Sequence, residues 1–351
     1  MSDMHLLAGL GVIMGMVLLL PFTVRWIEEE LEAFLLLMGT LAVTLSGLWN
    51  LHLITEALIE PIEIALAVAG FGFVFRQFRD AIRLGVSRFA DRIGLKCFLF
   101  CLVAGLGFLS SVITAIIAAL VLVEIISGLN IAKKSERSIV VLTCYAIGLG
   151  AVLTPIGEPL STIATAKLAG HPHHAGFFFL GGLLWPWIAG GIALLGLLAT
   201  GLGQRQKSTW ESLTEDKPEE ISGIMFRAGR VYVFVAALVL LGHGFTPIVD
   251  RYLIEMPSPL LYWVNTVSAV LDNATLAAAE ISPKMDIERI VYVLIGLLVS
   301  GGMLIPGNIP NIICANKLGI RSGEWARAGV PLGLALLIIY FMLLEFVPAT
   351  R

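Results

Sequence analysis

The sequence predicts an all-α polytopic membrane protein made of two inverted-topology repeats, each with a re-entrant hairpin and a broken transmembrane helix. Three observations carry this: an apolar composition, the placement of basic residues along the chain, and an internal echo between two interrupted apolar segments. Of 351 residues, 58% are hydrophobic and only 14% are charged, where soluble domains carry about a quarter. Apolar runs of about 20 residues are each long enough to cross a bilayer core, which excludes most soluble enzymes and nucleic-acid binders. The formal net charge of −3 gives no basic field for a nucleic acid, so the expected partner is the lipid bilayer. Cys97, Cys101, Cys144 and Cys314 lie singly in apolar stretches with no metal-ligand spacing, and read as small hydrophobes.

Taken in order, residues 1–56 hold two N-terminal transmembrane helices, Leu6 to Phe22 and Leu31 to Trp49. The first has no Lys or Arg before it and no small-residue cleavage site after it, so it is expected to be retained rather than removed as a signal peptide. Repeat 1 is expected over 57–200, with a span at Ala57 to Phe75, a hairpin over 93–126, a broken helix over 138–169 and a closing helix at Phe177 to Thr200. A polar cytoplasmic linker follows over 201–223. Repeat 2 spans 224–347, with a hairpin over 259–281, a broken helix over 288–318 and a closing helix at Ala328 to Val347. The hairpins are inferred from small and polar residues in mid-segment, Gly105 to Ser111 and Asp272-Asn273, because non-helical backbone at membrane depth survives only beside protein or a wet cavity.

Short loops rich in Lys and Arg stay in the cytoplasm. Counting the two hairpins as non-crossing puts 18 of the 23 basic residues on one side and gives the two halves opposite orientation. An internal echo agrees: Glu136-Arg137 matches Glu288-Arg289, the run Gly150 to Pro155 matches Gly301 to Pro306, Gly157-Glu158 falls on Gly307-Asn308, and Lys167-Leu168 on Lys317-Leu318. Inverted repeats with discontinuous helices are the usual build of secondary transporters, whose sites lie at the breaks.

The chemistry is expected at those breaks. Pro155, Gly157 and Pro159 interrupt the first around Thr154, Glu158, Ser161 and Thr162; Pro306, Gly307 and Pro310 interrupt the second around Asn308 and Asn311. Proline frees carbonyls one turn earlier, and carbonyls, hydroxyls, amides and a carboxylate are the oxygen set that replaces water around a small hard cation. The second hairpin tip offers Ser268, Asp272, Asn273 and Thr275; the first offers the hydroxyls Ser110 and Ser111. Asp272 has no adjacent Lys or Arg. A buried carboxylate without a basic partner binds a proton more readily, which lets proton and metal ion compete for the same oxygens. Na+ is therefore expected at Glu158, Asp272 and Asn308, with the other nine residues completing a shared cation and proton site; no resident cofactor and no catalytic residue are expected. Glu60 and Glu63, three apart on one helical face, could form a proton path or a structural seam. Glu124 and Glu280 at hairpin ends, and Glu32 and Glu345 at helix ends, are expected to reach the interface, and His171, His173 and His174 lack the acid or Cys that a metal motif needs.

Leu271 to Ala277, Thr154 to Glu158 with Ser161-Thr162, and Gly307-Asn308 with Asn311 resemble motifs of the NhaD-type sodium/proton antiporters of the ion transporter superfamily, in scattered form from Phe98 to Leu318. The resemblance implies an elevator-type carrier exchanging Na+ or Li+ for H+, often a homodimer, in a prokaryotic inner membrane. Two positions depart from the family: Ser110-Ser111 stands where its first hairpin commonly has Asp-Asn, and Glu158 replaces an Asp. The same superfamily contains Na+-coupled carboxylate and oxyanion carriers, an alternative weakened by the absence of Arg or Lys at either break. An intramembrane aspartyl-type enzyme using Glu158 and Asp272 would lack its Gly-x-Gly-Asp motif.

Overall fold

The computed structural model describes residues 3–127, 129, 132–202, 221–252, 256–271 and 273–346. Among them are fifteen α-helices, two 3-10 turns and no strand. In chain order these are α1 (Asp3–Thr23), α2 (Arg25–Glu29), α3 (Leu31–Ser46), α4 (Leu51–Ile93), α5 (Leu95–Ile113), α6 (Ala115–Ser127), α7 (Lys133–Ala151), α8 (Pro159–Lys167), α9 (Phe179–Leu202), α10 (Ile221–Tyr252), α11 (Ser258–Val264), α12 (Asn273–Glu280), α13 (Ile287–Gly301), α14 (Ile309–Leu318) and α15 (Ser322–Phe346), with 3-10 turns at Asn265–Ala269 and Ile305–Gly307. The protein is an all-α membrane protein. Four described helices are long and apolar enough to cross a bilayer: Leu95–Ile113, Phe179–Leu202, Ile221–Ile248 and Ser322–Phe346. Of the linker expected over 201–223, the first two residues belong to α9 and the last three to α10; 203–220 lie outside the described residues, as do Asp272 and Arg351.

Three helix boundaries differ from the sequence expectation. The span expected to end at Phe75 continues as α4 for 43 residues, from Asn50, whose side chain accepts the Leu53 N–H at 2.8 Å, to Gly94 at φ 81°. Nothing between Phe75 and Gly94 breaks a helix; that stretch has no proline and one further glycine, Gly85, and the chain first turns where positive φ is needed. The first hairpin does not break at Gly105 to Ser111 either. α5 runs through all of these residues, as one of the four helices long enough to span, and the break falls at Thr114, at φ 75° and ψ 151°. α7 likewise starts at Lys133 rather than Ser138.

The core is organised around α7 and α13. α7 is buried on every side from Ile139 to Ala151, and α13 from Ile290 to Gly301, the mark of a helix enclosed by others. α5 and α9 pack on α7, and α15 and the Asn265–Ala269 turn pack on α13. The outer limbs are exchanged: α6 lies against α14, and α12 against α8. On the other side α3 and α4 both pack along α10. Leu334, Ile338, Ile339, Met342 and Leu343 of α15 are exposed, as a lipid-facing surface requires.

The contact of α5 with α7 is made through glycine. A side chain at Gly150 would overlap the Gly107 carbonyl oxygen, and one at Gly107 would press on the Ala146 carbonyl at 3.2 Å; small residues of this kind let membrane helices approach closely. Gly150→Ala is therefore expected to cost about 3 kcal/mol through forced separation of the two helices. Gly105→Ala, where an added methyl meets nothing within 4 Å, is expected to be neutral or slightly stabilising, by up to about 1 kcal/mol. Thermal unfolding in detergent compares the two.

Candidate functional site

The first break lies between α7 and α8, over Val152 to Glu158, and the second between α13 and α14, over Gly302 to Asn308. Their ends share a backbone conformation, in the register that puts Glu158 on Asn308, one residue off the match of Gly150 to Gly301. Val152 (φ −69°, ψ −19°) corresponds to Gly302 (φ −76°, ψ −18°), and Glu158 (φ −157°, ψ 161°) to Asn308 (φ −157°, ψ 146°). Both polar residues are extended N-caps, with Pro159 and Pro310 in the first turn of the helix that follows, where proline's missing N–H costs nothing.

The contacts holding the breaks also recur. In each helix the third residue after the cap reaches back: the Ser161 hydroxyl donates to the Thr154 carbonyl at 2.7 Å, and the Asn311 amide donates to the corresponding Leu304 carbonyl at 2.9 Å. Ser161 also receives the Glu158 N–H at 3.4 Å, and Asn311 donates to the Gly301 carbonyl at 2.8 Å. A side chain at Gly157 would collide with the Ala151 carbonyl, and one at Gly307 would meet the Gly301 carbonyl at 2.5 Å. Each loop thus folds tightly over the end of its own helix.

The hairpin tips dock on the breaks. The Ala115 N–H donates to the Gly157 carbonyl at 2.8 Å, and the Thr154 hydroxyl donates to the Ser111 carbonyl. Ser110 donates to the Ile147 carbonyl at 2.9 Å, while Ser268 donates to the corresponding carbonyl of α13, Leu297, at 3.3 Å. This pairs Ser110 with Ser268. Counting four residues on, the sequence position matching Asp272 is Thr114, and that matching Asn273 is Ala115.

Of the expected site residues, Ser110, Ser111, Thr154, Glu158 and Ser161 are buried at the first break, and Ser268, Asn273, Asn308 and Asn311 at the second. Ser111 spends its proton on the Phe108 carbonyl at 2.7 Å. A hydroxyl that donates to a carbonyl keeps its lone pairs, so the hydroxyls remain able to face a cation. Thr162 is exposed and donates to the Pro155 carbonyl at 2.5 Å. Asp272 and the side chains of Thr275, Glu60 and Glu63 lie outside the described residues. The two half-sites meet across the molecule: a methyl at Gly148 of α7 would stand 2.9 Å from the Asn308 amide nitrogen, and the Cys144 thiol lies 3.8 Å from the Pro310 carbonyl.

Sequence reasoning left Thr114 out of the site. It turns the first hairpin at a φ that costs a β-branched residue about 1–3 kcal/mol, and its hydroxyl accepts the Ile117 N–H at 3.3 Å. The legible signal was a Thr directly before an unbroken apolar run, the pattern of an N-cap.

The other acids are paired away from the breaks. Glu32 is buried and bonded to Arg230, Glu124 pairs with Lys317, and exposed Glu345 accepts from Tyr292 at 2.9 Å. Glu280, expected to reach the interface, is instead 2% exposed and bonded to Asn265. His173 is occupied by the Pro283 and Met285 carbonyls, at 3.1 and 2.8 Å. Among the described residues no group of three or more His, Cys, Asp or Glu could hold a metal. A cavity of about 200 Å³ separates α3 and α10 from the second break, lined by Glu32, Arg230, Ile305, Asn316 and Ser322 among others.

With this geometry in view, residues 7–347 match the family model described as protein of unknown function (DUF1646). The chain belongs to this family. No curated protein matches it. As the match runs through α1, both breaks and α15, the DUF1646 chain includes the N-terminal pair of helices as part of the same unit as the site.

The two N-cap turns are expected to matter equally. Ser161→Ala and Asn311→Ala should each lower unfolding stability by about 1–3 kcal/mol, because each strands a buried carbonyl at its break. Thermal unfolding in detergent measures both.

Proposed function

We propose that this protein is a secondary active transporter that exchanges Na+ or Li+ for H+, with Glu158 and Asp272 binding cation and proton in turn. The observation that carries this reading is that two breaks of the same construction differ in where they hold their acid. In the first half the acid is the N-cap, Glu158, opposite Asn308; in the second it is at the hairpin tip position, Asp272, opposite Thr114. Each half-site then has one carboxylate, with amides, hydroxyls and freed carbonyls around it. That set suits a small hard cation.

On this reading the halves are inverted repeats, α5–α6 and α11–α12 are re-entrant hairpins, and the chain is a multi-pass protein of a prokaryotic inner membrane. The matched hydrogen bonds of Ser110 and Ser268, and of Ser161 and Asn311, support the repeat; the charge distribution supports the opposite orientations. Alternating access follows if the hairpins and breaks move as a body against α3, α4 and α10, with the cavity beside Ile305 as an aqueous approach. Such an elevator would suit a homodimer. Each carboxylate releases its proton when a cation takes its oxygens, so flux of one drives the other.

The test is Na+ uptake into proteoliposomes under an imposed pH gradient. Glu158→Gln or Asp272→Asn is expected to lower it by about 10–100-fold, the scale of losing a contact in a metal site. Exchange at the parent rate by both variants would refute the assignment.

A further inference from the structure

The carboxylate of Glu280 closes α12 from within the protein, at 2% exposure. Its Oε2 accepts the Asn265 amide at 2.9 Å, while its Oε1 has no hydrogen-bond partner among the described residues. A buried carboxylate with half its capacity unmet is costly, and it is not alone. Asn265 Oδ1, Ser300 Oγ, Asn273 Nδ2 and Asn311 Oδ1 are also buried without a partner.

These atoms follow α13. Asn265 lies beside Gly296, where a methyl would stand 3.5 Å from its Cβ; Ser300 is one turn further on; Asn273 lies beside Gly301, where a methyl would stand 3.5 Å from its amide nitrogen. Asn311 is joined to the same place by its bond to the Gly301 carbonyl. Asn273 and Asn311 belong to the second half-site, and Glu280 stands at the other end of the row. Buried polar groups with unmet capacity are where internal water is held, typically by about three hydrogen bonds.

We propose that Glu280 is the carboxylate that exchanges protons for the second half-site, through water held along α13 by Asn265, Ser300 and Asn273. The step moves one proton: the second half-site releases it to a bridging water beside Asn273 as the cation arrives, that water passes a proton along the row, and the Glu280 carboxylate takes one up. No bond other than O–H is made or broken. Arg289 of α13 lies within electrostatic reach of Glu280. Of the other elements packed on α12, α8 carries Lys167, and α10 carries His243, already bonded to Glu56, and Arg251.

This role rests on the antiport reading, and the experiment separates the two. The full chain in proteoliposomes is followed in two modes: Na+ against H+ under a pH gradient, and Na+ against Na+ at equal pH, in which no net proton moves. Glu280→Gln is expected to slow the first mode by at least about tenfold and leave the second within about twofold, as loss of a proton-transfer group should; Glu280→Asp should restore part of the first. Equal slowing of both modes, which a structural role would cause, overturns the proposal, as does unchanged exchange in both. A parent chain that moves Na+ in neither mode overturns the antiport reading itself, and this role with it.

Discussion

Broken backbone in an apolar interior has to find partners within the protein, and the rest of this structure is arranged around that need. At each break a helix ends, several carbonyls and N–H groups lose their helical partners, and no bulk water is at hand to replace them. The replacements are specific. Ser161 and Asn311 close the loops from behind, the hairpin tip closes the first from the side through Ala115 and Thr154, and the Trp325 indole donates to the Gly302 carbonyl at 3.2 Å. Since the same bonds satisfy the break and attach the hairpin, the two cannot separate without exposing unpaired polar groups. Break and hairpin are therefore mechanically one piece, the property that the proposed transport cycle asks of them.

Charge is distributed by the same economy of burial. Glu32, Glu124 and Glu324 each have a basic partner, in Arg230, Lys317 and Arg137, the last at 2.7 Å. These pairs tie α3 to α10, α6 to α14, and α7 to α15. Glu158 caps a helix N-terminus, where the helix dipole favours a negative group. Asn308 at the matching cap is neutral. In the proposed site this asymmetry keeps two carboxylates out of equivalent positions, and a neutral amide stands where a second acid would add repulsion.

Much of this was legible in the sequence because its signals are local. Proline and glycine pointed to both breaks, though not to their ends, and the echo of Gly157-Glu158 in Gly307-Asn308 is matched by N-caps of the same backbone conformation. The hairpin turn was misplaced for an equally local reason. Gly105, Gly107, Ser110 and Ser111 look like a break by composition, yet here they let α5 lie close against α7, and the helix passes through them unbroken. A glycine that permits a turn and a glycine that permits contact are the same letter until the neighbouring helix is known.

By itself, then, the sequence determined the all-helical membrane class, the positions of the two breaks and the polar residue that caps each following helix, all of which depend on composition and on residues within a few positions of one another. Tertiary structure alone decided that Ser110 answers to Ser268, that Thr162 faces outward, that Glu124 meets Lys317 across 193 positions of chain, and that Glu280 is enclosed beside Asn265. Each of these depends on what lies opposite. Burial and pairing are properties of two surfaces brought together, and a single strand of sequence carries only one of them.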